Sequence, residues 1–134
     1  MNNIDIMNYW IESSDKDYDV VLDLQKIKRN NYALFFGHLS IEKLLKALYA
    51  KNNPEEPIAP KIHNLILLSK KSDLDVPNEI RVKIQNINTF NISARYDDYK
   101  MEFANKCTDE YTAEQIKNIG EVRIWLKEQL VKKS

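Results

Sequence analysis

The chain has 134 residues, with 20 Lys+Arg against 20 Asp+Glu and a formal net charge of zero. That length suits one domain, 1–134, and the charge balance excludes a strongly basic nucleic-acid arm, so any phosphate contact must come from a local patch. With 43% hydrophobic residues, 2 Gly and 4 Pro, the composition is that of a folded chain poor in turns, which argues against β-sandwich and Rossmann architectures.

From about Asn3 to Asn30, the residues Ile4, Met7, Ile11, Tyr18 and Val21 recur at spacings of three, four or seven. This is helical period, not strand alternation. Ser13-Ser14-Asp15 favour caps and turns, so one long helix is expected, with a kink there as the reserve reading. A second helix is expected from about Asn31 to Lys51, with Leu34, Ile41, Leu45 and Leu48 on one stripe. Gly37, mid-helix, costs about 1 kcal/mol relative to Ala and points to close approach of another helix. Pro54, Pro57 and Pro60 mark 52–61 as a loop, because proline lacks the helix donor and restricts the residue before it.

A short third helix is expected from about Lys61 to Lys71, then a turn from Ser72 to Pro77. The fourth helix carries Ile80, Ile84, Ile87 and Phe90 and ends near Arg95. The stretch RYDDYKMEFANKCTDEY is polar and aromatic with weak periodicity, and reads as a flexible connector. Thr112 and Gln115 match a capping box. The last helix runs to about Val131, with Ile116, Ile119, Val122, Leu126 and Leu130 on one face and Gly120 at a second tight crossing. The fold class is therefore all-α: an up-and-down antiparallel bundle of about five helices.

The single cysteine, Cys107, excludes an intrachain disulfide and a cysteine-based zinc site. The first ten residues lack the basic and apolar regions of a signal peptide, and the apolar runs are too short to span a membrane. A cytoplasmic location and no membrane association are expected. There is no P-loop, GxGxxG, HExxH or GxSxG pattern, and with only His38 and His63 no multi-histidine metal site forms. Neither a metal nor a cofactor is expected.

Three groups of residues can carry chemistry. His38, Glu42 and Lys46 fall at i, i+4 and i+8 and share one helix face, as a solvated stripe or as the polar wall of a site. His63, beside a leucine-rich helix start, is a structural histidine, a ligand contact or an anchor facing the second helix. Arg95-Tyr96-Asp97-Asp98-Tyr99 is the densest polar-aromatic run: arginine offers a planar fork matched to phosphate, and tyrosine a hydroxyl and a stacking face. A helix-end salt bridge from Arg95 is its bland reading. Trp10 and Trp125 read as core or interface anchors.

These residues together resemble the HEPN family. Three pieces match in order: Glu42-Lys43 with Leu45-Lys46-Ala47 in an apolar-rich helix; His63-Asn64-Leu65, like a His-x-Leu at a short helix start; and Ala94-Arg95-Tyr96-Asp97, like an Ala-Arg-Tyr-Pro segment after the fourth helix. The resemblance spans about Trp10 to Leu130. It implies a helical bundle that dimerises, often paired with a minimal nucleotidyltransferase as toxin and antitoxin. It also implies a metal-independent ribonuclease whose site is an Arg, a polar residue, four to six positions and a His, repeated across the dimer. In some pairs the transferase attaches AMP to a tyrosine of the toxin.

The sequence departs from that pattern at one point: no histidine follows Arg95, and Tyr99 lies only four residues on. The resemblance then gives Arg95 and Tyr99 as catalytic candidates, and Glu42, Lys46, His63, Arg95 and Tyr96 as nucleotide- or RNA-binding candidates, with Tyr96 or Tyr99 as AMP acceptor. Three functions stay open: the ribonuclease-like member of a toxin–antitoxin-type pair, a non-catalytic nucleotide-binding module, and a helical protein-interaction dimer. A homodimer is also expected from surplus apolar surface, which a two-fold interface commonly covers.

Overall fold

Helix α1 (Asn3–Lys26) opens on Asn2, whose side chain accepts a hydrogen bond from the Asp5 N–H at 2.9 Å. It then runs unbroken through Ser13-Ser14-Asp15. The computed structural model describes residues 2–133 except Tyr96, and the side chains of that span except those of 92–98. Five further helices follow: α2 (Asn30–Asn52), α3 (Leu65–Lys71), α4 (Asn78–Arg95), α5 (Asp97–Lys106) and α6 (Asp109–Val131). The described residues contain no strand, and none of their helices is long and apolar enough to cross a membrane.

The bundle is all-helical as expected, with one helix more than the five read from the sequence. The addition is α5, in the stretch expected to be a flexible connector. Among its described side chains only Phe103 is buried, against Phe90 of α4 with ring centroids 5.7 Å apart. A single anchoring aromatic leaves too little apolar periodicity to mark a helix from sequence.

Two helix ends follow one device. After α1, Lys28 sits at φ 60°, its N–H bonded to the Gln25 carbonyl, and the Arg29 N–H returns to the Leu24 carbonyl at 2.9 Å. After α3, Asp73 sits at φ 55°, bonded to the Lys70 carbonyl, and the Leu74 N–H returns to the Ser69 carbonyl at 3.3 Å. Both are Schellman caps with a side-chain-bearing residue where glycine is usual. That is why α1 stops at Lys26, short of the expected Asn30. At α6 the cap is Thr108, which accepts from the Tyr111 N–H at 3.1 Å. Thr112, expected to cap, is instead a buried residue inside the helix.

Helix α2 is the axis of the fold and packs against all five others. Ala33, Leu34, Ile41, Leu44, Leu45, Ala47 and Leu48 are all buried, on more than one side of the helix. This is the pattern of a core helix. Ile84, Ile87 and Phe90 of α4 and Ile116, Ile119, Val122 and Leu126 of α6 close the core around it. Trp10 and Trp125 are half-buried against that core. At Gly37 of α2 an added Cβ would overlap Ile119 Cδ1 of α6, so the close approach expected there is real.

Candidate functional site

The polar face of α2 does not face water. His38 and Glu42 are buried, and Lys46 is nearly so. Glu42, 4% exposed, is the hub. Its Oε2 accepts from Lys46 Nζ at 3.1 Å, one helical turn on, and its Oε1 accepts from His63 Nδ1 at 2.8 Å. Lys46 also lies over the Trp10 ring of α1, 5.1 Å from its centroid, a favourable place for a cation. A buried carboxylate is tolerated because a paired cation and hydrogen bonds to both oxygens replace its lost water.

His63 reaches this hub from the proline-containing connection between α2 and α3. His38 Nε2 donates to the His63 carbonyl at 3.0 Å. The Asn64 side chain then caps α3, accepting from the Ile66 and Leu67 N–H groups at 3.0 and 3.1 Å. Asn88 of α4 accepts from the Leu65 N–H at 2.8 Å. Backbone and ring of His63 are thus both fixed, while its side chain stays 49% exposed. Of the candidates, Glu42, Lys46 and His63 form one connected cluster, with His38 as its fourth member.

The Arg95 candidate lies at the last residue of α4, and α5 begins at Asp97. Tyr96 lies outside the described residues. Tyr99 is 52% exposed and borders a cleft of about 190 Å³ shared with Thr89, Glu102, Phe103 and Lys106. That is smaller than the pockets that enclose drug-sized ligands. Among the described residues no three of His, Cys, Asp and Glu converge as a metal would require.

A second buried polar cluster had no counterpart in the sequence reading. Arg123 of α6 donates through Nη1 to Ser14 Oγ at 2.5 Å and through Nη2 to Asp15 Oδ1 at 2.6 Å, and it stacks on Tyr18, 4.7 Å from the ring centroid. Ser14 Oγ in turn donates to the Ser40 carbonyl of α2 at 2.6 Å. Lys127 joins Asp15 at 2.7 Å. Burial pushes the Asp15 carboxyl up, but the Lys127 and Arg123 hydrogen bonds outweigh it and leave the pKa below its ordinary value. The Ser-Ser-Asp run that looked like a helix breaker therefore locks α1 to α2 and α6. A signal existed: Arg123 follows Val122 on the inward side of α6, beside Ile119 and Leu126.

The HEPN domain model matches residues 7–129. The chain belongs to the HEPN family. This HEPN domain also superposes on the crystal structure of TT1696 from Thermus thermophilus with a TM-score of 0.78, over 96% of this chain and 99% of that one, at 18% identity. At that identity the likeness establishes the fold alone. A comparison with curated protein sequences gives no match. The three sequence pieces behind the resemblance fall at Glu42–Ala47 within α2, at the His63-Asn64 entry to α3, and at the end of α4.

Proposed function

We propose that this HEPN domain, acting as one unit over 1–134, contacts the phosphate of RNA through Arg95 and cleaves RNA without a metal, as one member of a toxin–antitoxin-type pair with a nucleotidyltransferase. The observation that carries the reading is the family match over 7–129 together with an Arg-Tyr-Asp-Asp-Tyr run at the α4–α5 junction. An arginine guanidinium is a donor fork suited to phosphate, and the tyrosines one and four positions on in sequence carry hydroxyls and stacking faces. Tyr96 or Tyr99 would be the acceptor if the partner attaches AMP. Two copies of Arg95 across a homodimer would neutralise the charge that develops at phosphorus during in-line attack. Exposed Met101 and Tyr99 on α5 would add apolar area to such an interface.

The test is retention and cleavage of labelled cellular RNA by the purified chain in the absence of metal, beside Arg95→Ala, with intact masses of both. The expected result is RNA binding and cleavage by the unmodified protein and loss of both in the variant, with an unchanged melting temperature. Binding without cleavage by protein of unmodified mass would favour the nucleotide-binding module, and absence of binding would refute the reading.

A further inference from the structure

The HEPN domain has no histidine after Arg95, so the proposed cleavage lacks a proton acceptor at its usual place in sequence. The fold holds a histidine elsewhere, against a carboxylate. His63 Nδ1 faces a carboxylate oxygen, Glu42 Oε1, at 2.8 Å. Because a carboxylate only accepts, Nδ1 carries the hydrogen, and in the neutral ring Nε2 holds the lone pair. Glu42 is fixed on its other side by Lys46 at 3.1 Å. The His63 backbone is pinned by His38 Nε2 on its carbonyl at 3.0 Å and by the Leu65–Asn88 hydrogen bond one step on. A buried carboxylate that sets the tautomer of a half-exposed imidazole, on a backbone itself held by hydrogen bonds, is the arrangement of a general base and its orienting partner. Asn88, which holds this segment, is seven residues before Arg95 on α4. The two positions lie about 10.5 Å apart along the helix axis.

We infer that the His63–Glu42 pair is the general base of this domain, with His63 as the catalytic residue and Glu42 as its positioning residue. This rests on the RNA reading above. His63 Nε2 takes the proton of a ribose 2′-hydroxyl, and O2′ forms a bond to the adjacent phosphorus as the P–O5′ bond breaks. The products are a 2′,3′-cyclic phosphate and a 5′-hydroxyl. Water protonates the departing O5′, and the imidazolium returns its proton to the resulting hydroxide, so protons and electrons balance.

The variant that separates catalysis from anchoring is His63→Asn, because the new amide nitrogen stands where Nδ1 stood and can still donate to Glu42, while nothing replaces Nε2. With the full chain and labelled cellular RNA, His63→Asn should keep its melting temperature and RNA retention, lose cleavage by about 100-fold or more, and regain part of it with added imidazole. Cleavage by His63→Asn at the wild-type rate would overturn the inference while leaving the Arg95 reading intact. RNA retention without cleavage by unmodified wild type would overturn the inference together with the cleavage part of the reading above, leaving only the RNA contact. Failure of the wild type to retain RNA would overturn both.

Discussion

Replacing Gly37 by Ala sets two known effects against each other. Alanine in a helix interior is favoured over glycine by about 1 kcal/mol. The new Cβ, however, would overlap Ile119 Cδ1 and lie 3.3 Å from Ile119 Cγ1. Ile119 is fully buried in the α2–α4–α6 core, where an extra methyl typically costs about 1–3 kcal/mol. The overlapping atom ends a side chain, so part of the strain relaxes by rotation, and the lower half of that range applies. Gly37→Ala should therefore be neutral to destabilised, by about 0–1 kcal/mol. Ile119→Val removes Cδ1 and alone costs about 0.5–1.5 kcal/mol. In combination the new methyl fills the space that Cδ1 vacated, so the double variant should come within about 0.5 kcal/mol of wild type, a coupling of about 1–2 kcal/mol. Urea unfolding followed by far-ultraviolet circular dichroism on all four proteins measures this cycle. Gly120→Ala is the control: its Cβ would meet only the Tyr18 hydroxyl, at 3.2 Å, so the helix-propensity gain should survive as a small stabilisation. If Gly37→Ala is itself more stable than wild type, the close α2–α6 approach does not constrain that site and the reasoning fails.

Glu42→Gln keeps an acceptor for His63 but leaves the Lys46 ammonium nearly buried without its counter-charge; breaking a buried pair costs about 3–5 kcal/mol, and denaturant unfolding should show a loss of that order, larger than for Lys43→Ala at the partly exposed Asp17 pair. The depressed pKa of Asp15 contributes stability that is fully present above its unfolded value of about 3.9 and is lost as pH falls through the lower folded value. Across that acid window the melting temperature of Asp15→Asn should fall less steeply than that of wild type. Burial pushes the Cys107 thiol up to about 11, so at pH 8 an aromatic disulfide reagent should label it slowly in the native protein and at once in urea; rapid native labelling would show that the α5–α6 corner opens.

Much of the architecture was legible because apolar residues at helical spacing fix both the element and its inward face. Ile84, Ile87 and Phe90 of α4 and the five-residue stripe of α6 are buried as their spacing predicts. The misreadings share a cause. Schellman caps at Lys28 and Asp73 use positive-φ residues other than glycine, so the usual stop signal was missing. Among its described side chains α5 buries one aromatic, Phe103, rather than a stripe. In the site, the i, i+4, i+8 spacing put His38, Glu42 and Lys46 on one face, but spacing carries no sign for inward or outward. The partner that makes Glu42 tolerable inside, His63, comes from 21 residues along the chain.

The sequence by itself determined every described helix but α5, most of the buried faces and the family, because helical periodicity and short ordered motifs are local properties of the chain. Only the tertiary structure decided that the polar residues of α2 point inward, that Ser14 and Asp15 clasp Arg123 from 109 and 108 residues away, and that Glu42 stands behind His63. Each of these depends on charge and hydrogen-bond partners that meet only when separate helices pack, and pairing at such distances leaves no period in the sequence.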